Sequence, residues 1–328
     1  MKILVTRKIP STAVEQLAQE GREIVVSPFD RPLTPEEIIQ MGAGSEAVLS
    51  LLTDKIDGEM MDAIGPQLKI VSNYAVGFDN INIPSASERG ILVANTPCDE
   101  VNESVAEHTW ALMLALGRRV VEADEATKRG AYKGWEPGIF LGSLLRGKTL
   151  GIVGMGRIGE MVARRAKGFD MKVLYTKRNP DPKAEAELGV VFSSLDDLLA
   201  NSDFVSLHVP LTDQTRHMIN KDSFSKIKRG SFLINTARGP VVDEYDLVEA
   251  LRSGVVSGAG LDVFDAEPNV NPELVGMENV ILTPHIASAT HESREAMGQL
   301  AVSAINKVLS SQKPENLVNP EIWDNRRK

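Results

Sequence analysis

A glycine-rich turn, Gly154-Met155-Gly156-Arg157-Ile158-Gly159, follows the strand-like TLGIV and opens the helical pattern IGEMVARRAKGF. Strand, G-x-G-x-x-G and helix in this order are typical of a dinucleotide-binding unit. The first glycine makes the tight turn, the second lets backbone approach a pyrophosphate, and the third allows close helix–strand packing. Amides at the helix N-terminus would face the phosphates. The predicted cofactor-binding residues here are Gly154, Gly156, Arg157, Ile158 and Gly159. The alternative is a turn without a ligand.

Short β-branched runs alternate with helical patterns through nearly the whole chain, which predicts parallel sheets covered by helices on both faces. The first series of strands is KILVT (2–6), EIVVS (23–27), AVLSLL (47–52), KIVSN (69–73) and ILVAN (91–95). The second series is TLGIVG, KVLYT, DFVSLHV, GSFLIN, VSGAGLDV and ENVILT. The predicted fold class is therefore α/β, with two doubly wound units of Rossmann-like or flavodoxin-like type.

Two helices and a tail complete this prediction. A long amphipathic helix is expected from about Val101 to Lys128, between the two series of strands. A last helix, His291 to Ser310, comes after the second series has ended. The polar, proline-containing tail from Gln312 onward is expected to be extended.

Composition limits the classes of function. The chain has 328 residues, a net charge of −9, a pI near 5.2 and one cysteine, Cys98. The length predicts about two domains, and a single cysteine excludes an intramolecular disulfide. The acidic balance disfavours nucleic-acid and membrane partners, which need a basic face. With no zinc-like spacing of Cys and His and no long apolar run, we expect a cytoplasmic protein without a metal ion.

The ribose end of the predicted cofactor site carries cations. About twenty residues after the glycine turn, where a carboxylate usually binds the adenosine ribose, the chain has Thr176, Lys177 and Arg178. Lysine and arginine favour a 2′-phosphate, which arginine can bind through its fork. The pattern therefore favours NADP(H) as cofactor. NAD(H) stays open, because one or both cations can be solvent-facing loop charges.

Polar groups follow three strands of the second series. Arg238 stands in NTARG, Asp262 and Glu267 stand in GLDVFDAEP, and His285 stands in TPHIASAT. Loops at the carboxyl ends of parallel strands meet at the ligand crevice. Singly, each group has an ordinary explanation, such as a surface ion pair, a turn residue or a structural histidine. Together they supply a cation for a carboxylate, an acid/base and a carboxylate to orient it, which predicts a hydride-transfer site.

The order and the sequences of these segments resemble the D-isomer-specific 2-hydroxyacid dehydrogenase family over nearly the whole chain. The segments that carry the resemblance are NYAVGFDNINI (73–83), TPCDEVNESVAEHTWALMLALGRR (96–119), GIVGMGRIG, NTARG, GLDVFDAEP and TPHIASAT. Within the family, NYAVGFDN, YTKRNP and PHIASATHESR look most like glyoxylate/hydroxypyruvate reductases. The resemblance implies reduction of a small 2-keto acid to the D-2-hydroxy acid with NADP or NAD.

The resemblance also implies roles for single residues. Arg238 would bind the substrate carboxylate and keto oxygen, and His285 would donate the proton. Glu267 would hydrogen-bond to His285 and keep it protonated. The other substrate-binding residues would be Leu52, Val76, Gly77 and Ser288. The other cofactor-binding residues would be His208, Pro210, Thr215, Ala237 and Asp262, with Asp262 at the nicotinamide carboxamide.

The family's domain arrangement and assembly are further implications. A substrate domain of residues 1–100 plus 288–328 would be split by an inserted dinucleotide-binding domain of residues 101–287. A homodimer would be built on the segment after residue 100, from which Trp135 would reach a partner's substrate pocket.

Two alternatives remain open at this point. A dehydrogenase for a larger 2-keto acid would differ only in pocket volume, which the sequence does not measure. A dinucleotide-sensing, corepressor-like binding protein has the same fold, but the set of Arg238, Glu267 and His285 favours the enzyme.

Overall fold

The computed structural model describes residues 1–18 and 21–328. The chain divides into two compact units. One consists of Met1–Val101 together with Ala289–Lys328, and the other is the continuous stretch Asn102–Ser288. The assignment of these units as substrate and dinucleotide-binding domains stays a prediction at this stage.

Strands and helices alternate along both units. The strands are β1 Lys2–Val5, β2 Glu23–Val26, β3 Ala47–Leu51, β4 Ile70–Tyr74, β5 Leu92–Ala94, β6 Thr149–Val153, β7 Lys172–Thr176, β8 Val191–Phe192, β9 Phe204–Leu207, β10 Ser231–Asn235, β11 Val256–Leu261 and β12 Val280–Leu282. The α-helices are α1 Pro35–Gly42, α2 Gly58–Ile64, α3 Ile83–Glu88, α4 Asp99–Gly117, α5 Val120–Lys128, α6 Arg157–Ala166, α7 Pro182–Leu188, α8 Leu195–Asn201, α9 Lys221–Lys226, α10 Glu244–Arg252, α11 Pro272–Val275 and α12 His291–Leu309. Short 3-10 helices cover Thr12–Leu17, Lys167–Phe169, Gly239–Val241 and Pro320–Asn325.

The first unit contains a five-stranded parallel sheet. Its strand order is β2-β1-β3-β4-β5, which is the flavodoxin-like doubly wound arrangement. Strands β1, β3 and β4 are buried along almost their whole length, as expected for parallel strands covered on both faces. In open sheets of this kind, ligands bind outside the carboxyl ends of the strands.

Helix α12 belongs to the first unit although it is distant in sequence. The buried Ser72 hydroxyl donates to the Ala301 carbonyl at 2.9 Å, and the Tyr74 hydroxyl donates to the Arg294 carbonyl at 2.7 Å. Burial raises the pKa of Tyr74 to about 12. These bonds and the apolar face of α12 join the last helix to β4.

The tail is only partly extended, so that prediction was incomplete. Val318 N donates to Val93 O at 2.7 Å, which places the tail along strand β5. The fully buried Asn319 accepts from Val93 N at 2.8 Å and donates to Ile91 O at 3.0 Å. A 3-10 helix, Pro320–Asn325, follows. The tail thereby covers the edge strand, which would otherwise expose unpaired backbone groups.

The second unit contains a seven-stranded parallel sheet in the order β12-β11-β10-β9-β6-β7-β8. Reversed, this is the Rossmann order 3-2-1-4-5-6 with one added strand. One core cluster lies between β9 to β11 and helices α8 to α10, and another lies between β6, β7 and helices α4 and α6. The prediction of two α/β units with parallel sheets is confirmed. The short β8 was not predicted.

The predicted single helix from Val101 to Lys128 is wrong. The structure has two helices, α4 and α5, with a break at Arg118-Arg119. Arg119 adopts the left-handed conformation with φ of 52° and stands just before α5. Its guanidinium pairs with Glu122 at 2.5 Å and lies over the Phe140 ring. The amphipathic pattern continues across the break, so periodicity alone gave no sign of it.

Two further observations concern membrane-spanning helices and metal sites. No helix within residues 1–18 and 21–328 is long and apolar enough to cross a membrane. Over the same residues, no group of three or more His, Cys, Asp and Glu side chains could hold a metal ion.

Candidate active site

The glycine-rich turn lies between β6 and α6 at the carboxyl edge of the second sheet. Gly154 has φ of 102°, and a Cβ there would lie 2.6 Å from the His208 carbonyl oxygen. A Cβ at Gly159 would lie 2.3 Å from the Gly154 oxygen. At Gly156, by contrast, a Cβ would meet nothing within 4 Å. The turn is therefore tight at its first and third glycines and open at its second, as a backbone approach to a diphosphate requires.

The N-terminus of α6 can accept an anion. Gly156 is its N-cap residue and has no side chain to cap the helix, so no side-chain hydrogen bond is made there. The first N–H groups of any α-helix have no partner within the helix and lie at its positive end. The amides of Arg157 and Ile158 thus fit the phosphates of a dinucleotide.

The cations at the end of β7 differ in their surroundings. Thr176 is the last residue of β7, and the two cations follow it. Lys177 Nζ lies 2.9 Å from Asp181 Oδ2, and both side chains are half-buried. Arg178 is exposed. The sequence favoured both cations as partners of a 2′-phosphate, with solvent-facing loop charges as the alternative. The structure pairs Lys177 with a carboxylate.

The loop after β9 contributes a neutral histidine and a closed turn. His208 Nε2 lies 2.8 Å from Ser206 Oγ, and burial lowers the pKa of His208 to about 4. The Thr215 hydroxyl donates to the Pro210 carbonyl at 2.6 Å and accepts from Thr212 N at 2.8 Å. Three of the predicted cofactor-binding residues therefore lie in one ordered loop, which meets the glycine turn at the His208 carbonyl.

The turn after β10 places Arg238. Asn235 Oδ1 accepts from Ala237 N at 3.0 Å, and Asn235 Nδ2 donates to Arg238 O at 2.9 Å. The Arg238 guanidinium donates from Nη1 to Ala237 O at 2.7 Å. A Cβ at Gly239 would lie 1.9 Å from the Phe264 carbonyl carbon and oxygen. Only glycine therefore permits the close approach of the Arg238 turn to the loop that carries Glu267.

Glu267 and His285 form a direct pair. His285 Nδ1 lies 2.8 Å from Glu267 Oε2, and the two side chains are 28% and 30% exposed. Glu267 Oε1 accepts from Phe264 N at 3.0 Å. Burial alone would raise the pKa of the Glu267 carboxyl. The hydrogen bond and charge of His285, the Phe264 amide and the charge of Arg238 outweigh burial and hold that pKa below its usual range.

A buried carboxylate shapes the turn that carries His285. Asp262 Oδ1 accepts from Ile286 N at 2.8 Å and from the Thr283 hydroxyl at 2.6 Å, and Oδ2 accepts from Ala287 N at 2.8 Å. His285 N donates to Asp262 O at 2.9 Å. His285 itself has φ of 53°, a conformation that non-glycine residues adopt only when neighbouring contacts enforce it. Asp262 supplies most of those contacts.

Behind this turn lies a hydrogen-bonded chain that the sequence did not reveal. His108 Nε2, on α4, lies 3.0 Å from Thr283 Oγ1 and 3.5 Å from Asp262 Oδ1. Because the Thr283 hydroxyl donates to Asp262, it accepts from His108 Nε2–H. Burial would raise the pKa of the Asp262 carboxyl, but the hydrogen bonds that it accepts hold the pKa below its usual range. Asp262 therefore stays charged and fully buried.

In the first unit, Val76 and Gly77 form the turn after β4. The Asn95 side-chain amide donates to Val76 O at 2.6 Å, and that of Asn73 donates to Gly77 O at 2.9 Å. Both carbonyls are therefore held from within the unit.

The same unit holds the turn that carries Leu52, whose side chain is exposed. Asn80 Nδ2 donates to Leu51 O at 3.1 Å and to Asp54 O at 2.9 Å, and Asn80 Oδ1 accepts from Asn73 Nδ2 at 3.0 Å. Asp54 is buried, and burial raises the pKa of its carboxyl. The turns after β3 and β4 are thus one hydrogen-bonded structure.

The structure brings Arg238, Glu267 and His285 together at the carboxyl edge of the second sheet. Ser288 is the last residue of that unit, and Leu52, Val76 and Gly77 lie in the first unit. Sequence reasoning missed the supporting residues Asn73, Asn80, His108, Asp181, Ser206 and Thr283. Ser206 and Asn73 are polar residues inside apolar strand runs, and buried polar groups require partners. That signal could have found these two. His108 on its helix offered none.

Comparison with known proteins identifies the family of the chain. Residues 110–287 match the model of the D-isomer specific 2-hydroxyacid dehydrogenase NAD-binding domain. The chain is 46% identical over 325 residues to a glyoxylate reductase from Thermococcus kodakarensis, covering 98% of this chain and 97% of that protein.

Two solved structures extend the comparison. A protein from Thermus thermophilus superimposes with a TM-score of 0.90 at 42% identity, covering 97% of this chain and 100% of that one. An NADPH-dependent glyoxylate/hydroxypyruvate reductase from Sinorhizobium meliloti gives a TM-score of 0.85 at 34% identity, covering 97% and 98%.

The fold and the site thus define a nicotinamide-dinucleotide-dependent oxidoreductase. The chain belongs to the D-isomer specific 2-hydroxyacid dehydrogenase family. Its reaction class is the reduction of a keto acid to a hydroxy acid.

Replacing Gly239 is expected to disturb the site through its backbone. In Gly239→Ala the added Cβ cannot fit 1.9 Å from Phe264, so the two loops must separate. We expect a loss of roughly 1–3 kcal/mol in the free energy of unfolding, typical of overpacking, measured by urea denaturation. Gly168→Ala is the matched control, because a Cβ there meets nothing within 4 Å. Equal midpoints for the two variants would contradict the close approach.

His208 is expected to make the fold acid-sensitive. Its pKa in the folded protein is about 4, below the ordinary 6.5. A depressed pKa contributes stability above pH 6.5 that is lost as the pH falls toward 4. Between pH 7 and pH 4.5, the wild type should lose on the order of 2 kcal/mol more unfolding free energy than His208→Asn. Urea denaturation at the two pH values measures this, with His291→Asn at an exposed position as control. Equal losses of unfolding free energy in the wild type and in both variants would contradict this role of His208.

Proposed function

We propose that the protein reduces glyoxylate and hydroxypyruvate, with NADPH preferred over NADH and the D-2-hydroxy acid formed wherever the product is chiral. The observation that carries the proposal is the pair of His285 Nδ1 and Glu267 Oε2 at 2.8 Å, on the loop that packs against the turn of Arg238. A cation, an acid/base and an orienting carboxylate on rigid strand ends are the groups that this reduction needs.

His285 acts as the acid. Because Nδ1 donates to Glu267, the second ring nitrogen, Nε2, is the one that can give its proton to the substrate carbonyl oxygen. Glu267 stays ionised, since its pKa is held below the usual range. Its carboxylate accepts from Nδ1 and fixes the ring orientation. In the reverse direction the neutral imidazole accepts the hydroxyl proton.

Arg238 binds the substrate carboxylate and polarises the keto oxygen. A guanidinium is a rigid, permanently charged fork, which suits a carboxylate beside a carbonyl group. When bound, the reduced nicotinamide supplies the hydride that the keto carbon accepts, so that hydride and proton together convert ketone to alcohol. As its charge grows, the carbonyl oxygen is stabilised by Arg238 and then neutralised by His285.

The cofactor is assigned to the glycine turn and its neighbours. Gly154, Gly156 and Gly159 with the N-terminus of α6 would hold the diphosphate, and the loop of His208, Pro210 and Thr215 with Ala237 would line it. Asp262 would accept a hydrogen bond from the nicotinamide carboxamide through lone pairs of its carboxylate oxygens that other donors leave free. The exposed Arg178 supports a 2′-phosphate partner. The NADPH dependence of the Sinorhizobium meliloti relative supports the same preference.

Small substrates are favoured by the residues assigned to them. The Val76 and Gly77 amides would bind the substrate carboxylate, and Ser288 would lie near it. Leu52 presents an apolar side chain, which offers no partner to a phosphate group. Relatives named for glyoxylate support the same size class.

We further propose a homodimer built on the segment after residue 100. Large apolar side chains in this segment are exposed, with Trp135 at 82%, Leu141 at 70% and Leu144 at 68%. Clustered exposure of this kind marks an association surface. A second copy of the chain is the partner that these residues would contact.

A steady-state panel tests the reaction. Glyoxylate, hydroxypyruvate, pyruvate and phenylpyruvate are each assayed with NADPH and NADH, following dinucleotide oxidation. We expect glyoxylate and hydroxypyruvate with NADPH to give the highest kcat/KM. His285→Gln should lower kcat by roughly 10²–10⁴-fold, the contribution of a positioned acid, while the Kd for NADPH changes little.

His291→Gln, an exposed position on α12, is the control and should keep full activity. Preference for phenylpyruvate would replace the small-substrate assignment with a larger 2-keto acid. Tight dinucleotide binding without turnover on any of the four acids would support a sensor in place of an enzyme. An active His285→Gln variant would remove His285 as the acid.

The dimer is tested by light scattering after size exclusion. The wild type should elute at about twice the monomer mass of 35.7 kDa. Leu141→Asp combined with Leu144→Asp should shift it toward monomer, because charges at an apolar interface are costly. Val275→Asp, at another exposed apolar position, should leave the mass unchanged. A monomeric wild type would exclude the assembly.

A further inference from the structure

The ribose end of the proposed cofactor site contains two cations: Lys177, which forms an ion pair, and Arg178, which is exposed. Lys177 Nζ pairs with Asp181 Oδ2 at 2.9 Å, with side-chain exposures of 31% and 26%. Arg178 is exposed, and no carboxylate in the described parts of the chain forms an ion pair with it. The positive charge predicted from YTKRNP is therefore only partly available to a ligand.

Asp181 is fixed by contacts other than Lys177. Its Oδ1 accepts from Ala184 N at 3.1 Å as the N-cap of α7. Its backbone N–H donates to the Tyr175 hydroxyl at 2.6 Å, and that hydroxyl lies 3.0 Å from Glu185 Oε1. The Lys177 hydrogen bond is the main cause that holds the pKa of Asp181 below its usual range. The N-cap bond to Ala184 and the backbone bond to Tyr175 thus hold Asp181 in place whether or not Lys177 remains beside it.

This arrangement has opposite effects on the two cofactors. A 2′-phosphate approaching Lys177 would bring nearly two negative charges next to the Asp181 carboxylate, and it would have to share the ammonium with that carboxylate. A ribose with free hydroxyls meets no such repulsion, because hydroxyls donate to carboxylates. The local pair therefore reduces the advantage of the phosphorylated cofactor.

We propose that Asp181 is a specificity-determining residue: by holding Lys177 in an ion pair it limits the preference for NADPH and keeps NADH usable. Arg178 then supplies the attraction for the 2′-phosphate that remains. The proposal rests on the proposed dinucleotide site and adds a residue that weakens its phosphate selectivity.

Asp181→Asn tests the proposal. Asparagine has the same shape and is an equally good N-cap residue, so α7 keeps its cap while the charge is removed. The Kd values for NADPH and NADH are measured by titrating each dinucleotide and following protein fluorescence, without any substrate. We expect the Kd for NADPH to fall roughly twofold to fivefold, in keeping with one exposed charge–charge interaction, and the Kd for NADH to stay nearly unchanged.

Two controls isolate the mechanism. Glu187→Gln removes one negative charge from the same helix, where Glu187 lies 4.0 Å from Lys183, and should leave the ratio of Kd values unchanged. In a Lys177→Gln background, Asp181→Asn should gain less NADPH affinity, because no ammonium is released. The gain should also shrink as ionic strength rises.

The outcomes distinguish a failure of the Asp181 proposal from a failure of dinucleotide binding itself. A ratio that shifts in Asp181→Asn and not in Glu187→Gln supports the proposal. An unchanged ratio in Asp181→Asn, an equal shift in Glu187→Gln, or an undiminished gain in the Lys177→Gln background would overturn it while dinucleotide binding itself persists. A wild type that binds neither dinucleotide would instead overturn the proposed function, and this inference with it.

Discussion

The buried carboxylate of Asp262 is the constraint on which His285, the proposed acid/base group, depends. It accepts hydrogen bonds from the Thr283 hydroxyl and from the amides of Ile286 and Ala287, the two residues after His285. These bonds hold His285 in a left-handed conformation that it would not adopt by itself. The imidazole then meets Glu267 at hydrogen-bond distance. This buried carboxylate therefore determines where His285, the proposed proton donor, lies.

Close backbone contacts at two glycines position the remaining loops of the site. The glycine turn touches the loop after β9 where Gly154 meets the His208 carbonyl, and the turn after β10 touches the next loop where Gly239 meets Phe264. A parallel sheet brings all these loops to one edge, but only residues without a Cβ let them come this near. Gly154 and Gly239 thus join loops of this edge, whereas Gly156 is the glycine that leaves space for a diphosphate.

Much of the fold could be predicted, because periodic apolar runs report strands reliably. Every described strand except β8 follows a predicted segment within about two residues. The break before α5 could not be predicted, since Arg119 adopts its conformation for reasons of local pairing and not of pattern. The short β8 was missed because a strand of two residues is too short to show a hydrophobic period. In the site, motif residues were found, whereas His108 and Asn80 act through contacts that no local pattern encodes.

The sequence by itself determined the two α/β units, the glycine turn and the chemical types available at each strand end. These follow from short-range rules: side-chain period, glycine geometry and the place of polar residues after apolar runs. The tertiary structure alone decided which charges are neutralised. Lys177 and Arg178 are both cations in the sequence. In the structure, Asp181 at the N-cap of α7 pairs with Lys177, whereas Arg178 stays exposed. Electrostatic strength depends on distance and burial, and neither exists until the chain has folded.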